Sequence, residues 1–424
     1  MTPADDALPA DRLHALDNLR ATMMWLGIVL HVAVIHLVSP SPLPWHDDRS
    51  TPVADILTAL IHAFRMPVFF LLAGFFVALL VRRKGTAGML HNRLRRLALP
   101  FAVFWPLLFA GCSVLALLFL HRMARGTWGL DRSLLPPSAG VPKGPSTMHL
   151  WFLWMLLWFS VLSVPLHWIM ARLPQRVHAA LAAGVTHLGE SPWGCAVLAL
   201  PLAWLGSSYP NGVLTPNGSF LPPLAEWLHN GLFFAFGTGV FLLRERLFAH
   251  WLRHWPLYAA AGGACFLLTG ILMEALAHPE ASAFAMFLAT GVLTETATQP
   301  GTGPQTLPFF IALAYNSASW LWSFALIGMF LRYAQGRHAW LAWLADSSYW
   351  VYLVHLPLTI GFGALLYGLP LPALAKMLIN VTATTAVCLV SYHFLVRFTA
   401  IGALLNGRRY RPIPSSSGAP FHVH

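Results

Sequence analysis

Residues 53–81 read VADILTALIHAFRMPVFFLLAGFFVALLV, an apolar run interrupted at its centre by a histidine and an arginine. About 20 apolar residues in a helix rise ~30 Å, the depth of a bilayer's hydrocarbon core. The stretch therefore predicts a membrane-spanning helix. Comparable runs lie on both sides, at 21–39, 97–120, 149–171, 188–206, 224–243, 256–277, 308–331, 341–367 and 372–396. The chain is 57% apolar and only 10% charged, against roughly 25% charged in a soluble domain. So few charges could not cover a water-facing surface. The expected fold is an all-α integral membrane protein, a bundle of about ten transmembrane helices. Residues 281–293, ASAFAMFLATGVL, are too short for a comfortable span and read as a re-entrant or interfacial piece.

The formal net charge of +11 invites a nucleic-acid reading, which fails once the charges are located. With the N-terminus inside, nineteen of the 26 basic residues fall in inner segments and six in outer ones, leaving Arg65 alone within a span. That asymmetry is the positive-inside signal. It places both termini in the cytoplasm: residues 1–19 as an N-terminal segment, 20–396 as the transmembrane domain, and 397–424 as a basic, Pro/Ser-bearing tail. Acidic residues Asp5, Asp6, Asp11 and Asp17 precede the first apolar run, so a cleaved signal peptide is not expected. Four cysteines sit singly in apolar runs, without metal-ligand spacing. No internal repeat argues for a transporter built from two halves.

Ionisable groups inside a span are costly and mark cavities or substrate paths. Arg65 lies about twelve residues deep, where a charge costs at least ~2.5 kcal/mol on insertion scales. His62 shares its face at i−3, and Pro67 frees a backbone carbonyl nearby. In the first span, Arg20 and His31 are eleven residues apart, about 20° from one another around the axis and ~16 Å along it. In LADSSYWVYLVHLPL, Ser348, Tyr352 and His355 form a polar stripe at i, i+4, i+7. Counted from the span ends, His31, Arg65 and His355 fall at similar depths. The inner stretch LVRRKGTAGMLHNRLRRLALP is the densest basic patch. Arg93, Arg95 and Arg96 in it suit either anionic lipid headgroups or the phosphates of a cytoplasmic cofactor. His149 opens a Trp-rich span and is placed at an outer vestibule. His250 and His254 have metal-type spacing but no matching glutamate, and no metal is expected. Asn217-Gly-Ser is a glycosylation sequon by pattern only.

Taken together, Arg20-x10-His31, MPVFFLLAGFF, RLRRLALP and SSYWVYLVHLPL resemble the motifs of membrane acyltransferase family 3, in order, over about residues 12–396. HAFRMPVFF, HLWFLWMLL and HNGLFFAFGTGV look most like its glucan biosynthesis protein C branch, which is associated with succinyl transfer to osmoregulated periplasmic glucans. Ala73 departs from the Ser of many members, and Ala21 from a frequent Gly. The resemblance implies a multi-pass enzyme of the bacterial inner (cytoplasmic) membrane. It implies transfer of a succinyl or acetyl group from cytoplasmic acyl-coenzyme A to a saccharide hydroxyl. In that scheme His31 acts as general base or acyl carrier, and Arg20 and Arg65 stabilise anionic groups. Arg93, Arg95 and Arg96 hold the coenzyme's phosphates, and His62, His149, Tyr352 and His355 meet the substrate. The partners are acyl-coenzyme A, a saccharide, the lipid bilayer and no nucleic acid, with homo-oligomerisation left open. The competing class is a transporter or flippase for an anionic saccharide or lipid-linked substrate, whose path would be lined by the same buried charges. A haem carrier using His31 and His62 is a third.

Overall fold

The computed structural model describes residues 10–41, 43–135, 145–209, 211–277, 306–336 and 339–406. The 281–293 segment, most of the tail and the first nine residues lie outside these. Among the described residues the regular structure is entirely helical. The helices are α1 (Ala10–Ala33), α2 (Pro52–Arg93), α3 (Leu99–Arg125), α4 (Trp151–Met170), α5 (Gln175–Glu190), α6 (Pro192–Gly206), α7 (Leu224–Leu242), α8 (Arg244–Ala277), α9 (Thr306–Tyr333), α10 (Ala339–Leu366), α11 (Ala373–Ser391) and α12 (Ala400–Asn406). Every expected span overlaps at least one of them. Seven stretches are long and apolar enough to cross a membrane, and one of these, Pro52–Arg125, holds both α2 and α3. The short apolar α6 and the helix α7 fall outside those seven.

Helix α1 packs on α10, α2 and α9, while α2 also packs on α7 and α9 on α8 and α6. Helix α9 is buried along most of its length. The flanking helices turn large apolar side chains outward: Leu107 of α3, Leu267 of α8 and Leu378 of α11 are each more than two-thirds exposed. An apolar surface of that kind suits lipid rather than water. Where α2 crosses α7 the backbones touch through Gly74 and Gly237. A Cβ on either would run into a carbonyl of the other helix, at Phe234 or at Leu71. Small residues at a crossing let membrane helices approach closely enough for van der Waals attraction to hold them.

Two segments differ from the sequence expectation. The basic stretch 82–96, read as a loop, is helical. The chain breaks at Gly85 (φ +71°) within α2, and a π turn, Leu94–Ala98, joins it to α3. Lys and Arg are good helix formers, so charge alone did not mark a loop there. The span expected from 188 is two helices: α5 ends at Glu190, and Ser191 is extended before Pro192 opens α6. A residue before proline is driven out of the helical region.

Beyond the C-terminal end of α1, Lys376 of α11 is fully buried and donates to Asp47 at 2.8 Å and Asp48 at 2.5 Å. His36 Nδ1 donates to the Arg49 carbonyl at 2.9 Å and lies 3.9 Å from Asp47. Burial works against ionising Asp48, yet the hydrogen bond and charge of Lys376 hold its carboxyl at about 2. This network ties the 37–51 connection to α11.

Candidate active site

Arg65 is 6% exposed in the interior of α2. Its Nε donates to the carbonyl of Met23 on α1 at 2.8 Å, and its guanidinium lies 5.7 Å from the Phe69 ring centre. Among the described residues no carboxylate pairs with it. The guanidinium reaches α1 because Gly27 has no side chain. A Cβ there would lie 2.6 Å from Arg65 Nη2 and 3.5 Å from His355 Nε2. Gly27 is one helical turn before His31 and on its face, so α1 presents a gap and an imidazole side by side.

Three imidazoles collect beside this cation. The ring centres of His31 and His355 are 5.0 Å apart, and those of His149 and His355 are 5.3 Å apart. The hydrogen bonds decide which ring nitrogen is open. His355 Nδ1 faces the carbonyls of Tyr352 at 2.8 Å and Val351 at 3.0 Å. Carbonyls only accept, so Nδ1 carries the proton, and the buried Nε2 is left without a partner. His149 Nε2 donates to the Leu353 carbonyl at 3.0 Å, leaving its buried Nδ1 unfilled. That carbonyl is available because Pro357, four residues on, has no N–H to return to it. Tyr352 donates its hydroxyl to the His149 carbonyl at 2.7 Å, so α10 grips His149 at ring and backbone. His31 makes no hydrogen bond among the described residues and is half-buried.

The turn that delivers His149 is strained. Met148 has φ +49°, the one non-glycine residue in the left-handed region among the described residues. Such a conformation costs on the order of 1–3 kcal/mol and persists where the surroundings over-determine it. Here Thr147 donates both its N–H (2.7 Å) and its hydroxyl (2.9 Å) to the Gly218 carbonyl.

The arrangement thus offers two unfilled imidazole acceptors, a third unengaged imidazole and one cation without a counter-ion. Acceptors of this kind can take a proton from a hydroxyl, and a fixed guanidinium can stabilise an oxyanion. No group of three ligating side chains among the described residues could hold a metal.

The other expected residues lie elsewhere. Arg20 is near the middle of the uninterrupted α1, exposed, paired with Asp17 at 3.1 Å, and 5.6 Å from the Phe76 ring centre. Arg93 has Arg20 and Arg96 as charged neighbours and a buried Nε without a partner. The π turn carries Arg95, which is exposed, and Arg96, which donates to the Asn406 carbonyl at 3.3 Å. A basic cluster therefore stands about 16 Å from His31 along α1. His62 has Arg65 and His31 as ionisable neighbours and lines a recess together with Met66 and Pro67. Ser348 is spent on the Ala345 carbonyl. His149, expected at an outer vestibule, is 7% exposed within the cluster. Sequence reasoning missed Gly27 and the Leu353 carbonyl; the second was signalled by the position of Pro357.

Residues 13–393 match the sequence signature of a known family described as an acyltransferase domain. The glucans biosynthesis protein C of Salmonella heidelberg is 29% identical over 160 residues, 37% of this chain and 40% of that protein. The proteins of the same name from Salmonella agona and Salmonella gallinarum match to the same extent. The alignment thus spans well under half the length of these relatives. No solved structure matches.

Proposed function

The chain belongs to acyltransferase family 3, and on that premise we propose that it moves an acyl group from acyl-coenzyme A to a hydroxyl of a cell-envelope saccharide, a glucan carrying a succinyl or acetyl group being the product. The observation that carries this reading is the buried guanidinium of Arg65, which lacks a carboxylate and stands among His31, His149 and His355.

The chemistry divides along α1. Arg20, Arg93, Arg95 and Arg96 hold the coenzyme's phosphates from the cytoplasm, and guanidinium forks suit that task. The acyl thioester reaches toward His31. The acceptor's hydroxyl oxygen attacks the thioester carbonyl, and His31 takes its proton. The carbonyl oxygen becomes an oxyanion beside Arg65. Collapse breaks the carbon–sulfur bond, the proton passes to the leaving thiolate, and free coenzyme A and an ester result. If His31 instead carries the acyl group, the same bonds break in two steps. His149 and His355 present their unfilled nitrogens to the acceptor, and Tyr352 positions His149. In this reading the chain crosses a bacterial inner membrane about ten times with both termini in the cytoplasm, which the excess of basic residues in the inner segments supports.

The test is release of free coenzyme A by purified protein from succinyl- and acetyl-coenzyme A, with and without glucan. Glucan-dependent release with ester formation supports the reading. Binding of the saccharide with no turnover of either donor overturns it in favour of transport.

A further inference from the structure

The motif HNGLFFAFGTGV contributes nothing to the cluster around Arg65, yet its first residue lines a separate recess. His62, Ala63, Trp151, His229, Tyr315 and Asn316 surround it, and the segment between α6 and α7 closes one side. Its free volume of about 20 Å³ admits one water-sized group, which needs ~10–15 Å³. A whole sugar ring does not fit.

Around this recess the hydrogen bonds leave several acceptors unfilled, while His62 and Trp151 bring N–H groups to its wall. Asn316 Nδ2 donates to the Ala312 carbonyl at 2.8 Å, which orients the amide so that its Oδ1 accepts from His229 Nε2 at 3.1 Å. His229 therefore carries its proton on Nε2, and its buried Nδ1 has no partner. Tyr315 spends its hydroxyl proton on the Ala59 carbonyl at 3.3 Å. Pro67 has no N–H for the Ala63 carbonyl, and both residues line the recess. A lone pair on His229, one on Tyr315 and one on Ala63 thus lack donors. Trp151 adds an aromatic wall. Acceptors beside an aromatic ring and room for one small group describe a seat for a hydroxyl on a short carbon stem.

We propose that this recess is a subsite for a non-reacting hydroxymethyl group of the saccharide acceptor, whose hydroxyl donates to His229 Nδ1 while a different hydroxyl meets His31. The inference rests on the saccharide reading above and gives it a specificity: hexose units carrying a free hydroxymethyl are accepted, and pentose units lacking it are discriminated against. His229 is here a binding residue and Asn316 a positioning one.

The experiment compares a cello-oligosaccharide with the xylo-oligosaccharide of equal length, which differs only by lacking the hydroxymethyl groups. Equilibrium binding to the purified full chain is measured by calorimetry for wild type, His229→Leu, His229→Gln and Asn316→Leu, with thermal unfolding as the check on folding. Wild type is expected to prefer the hexose about tenfold, the worth of one or two hydrogen bonds. His229→Leu binds both weakly and about equally. His229→Gln, which keeps an acceptor oxygen, retains the preference. Asn316→Leu, which frees the His229 ring to turn, reduces it. An undiminished preference in folded His229→Leu overturns the proposal, as does a wild type that binds both equally or neither. If His229→Leu unfolds, Asn316→Leu and the wild-type comparison decide. Binding needs no turnover. Failure of coenzyme A release in wild type therefore counts against the acyltransferase reading alone, while an unchanged preference in His229→Leu counts against this subsite alone.

Discussion

Two buried cations in this bundle are treated in opposite ways. Lys376, fully buried on α11, is met by two carboxylates, Asp47 and Asp48. Arg65, 6% exposed on α2, meets backbone oxygen, sulfur and aromatic rings but no carboxylate among the described residues. A buried charge that is paired contributes order, whereas one left unpaired costs stability and is retained for what it does. Lys376 joins a connection to a helix, and Arg65 is the cation we propose stands beside the developing oxyanion. The difference separates a structural ion network from the proposed reaction centre without appeal to the depth of either residue.

The largest effect should come from the paired cation. Lys376→Met leaves the Asp47 carboxylate buried and unmatched, and stability in detergent is expected to fall by about 3–5 kcal/mol. Thermal unfolding checks this. Arg65→Leu is expected to do the reverse: unfolding stays within about 1 kcal/mol of wild type, while acyl transfer falls about 10²–10³-fold, as when an oxyanion donor is removed. A large loss of stability in Arg65→Leu would break the comparison. Gly27→Ala puts a methyl group into the guanidinium and should cost about 1–3 kcal/mol as overpacking, with transfer lowered because Arg65 is displaced. Tyr352→Phe removes the hydroxyl that holds the His149 backbone and should cost about 1 kcal/mol, read in the same unfolding experiment.

The smallest effect is a pH dependence. The Asp48 carboxyl is held at about 2 against the Lys376 ammonium, below an ordinary carboxyl pKa near ~3.9. A depressed folded pKa stabilises above the unfolded value and loses that contribution as pH falls through the folded one. Wild type should therefore hold its unfolding temperature down to about pH 4 and lose it toward pH 2. Asp48→Asn should show a shallower decline over the same range.

Much of the bundle could be read without coordinates because its signals are local. An uncharged run of twenty residues is a helix whatever surrounds it, and Arg65 is anomalous within its own stretch. His31, Arg65 and His355 could be set at one depth by counting from span ends, and they do lie together. Where neighbours matter, the sequence was silent. Gly27 is an ordinary membrane-helix glycine until Arg65 is laid across it. Asp47 and Lys376 are 329 residues apart, and no periodicity joins them. His149 precedes its helix and was placed at the surface; the strained turn at Met148 and the Leu353 carbonyl draw it inward instead. The helices in 82–93 and 175–190 were hidden because basic and small residues form helices and loops alike, and only packing decides between them.

The central claim is that the unpaired Arg65 marks a transfer centre in which His31 handles the acceptor's proton or the acyl group. It is tested most directly by glucan-dependent coenzyme A release in folded His31→Ala, beside wild type at saturating acyl-coenzyme A. Removing a general base or nucleophile should lower the rate by about 10²–10⁴-fold while the unfolding temperature is kept. A folded His31→Ala protein that releases coenzyme A at the wild-type rate would contradict the account.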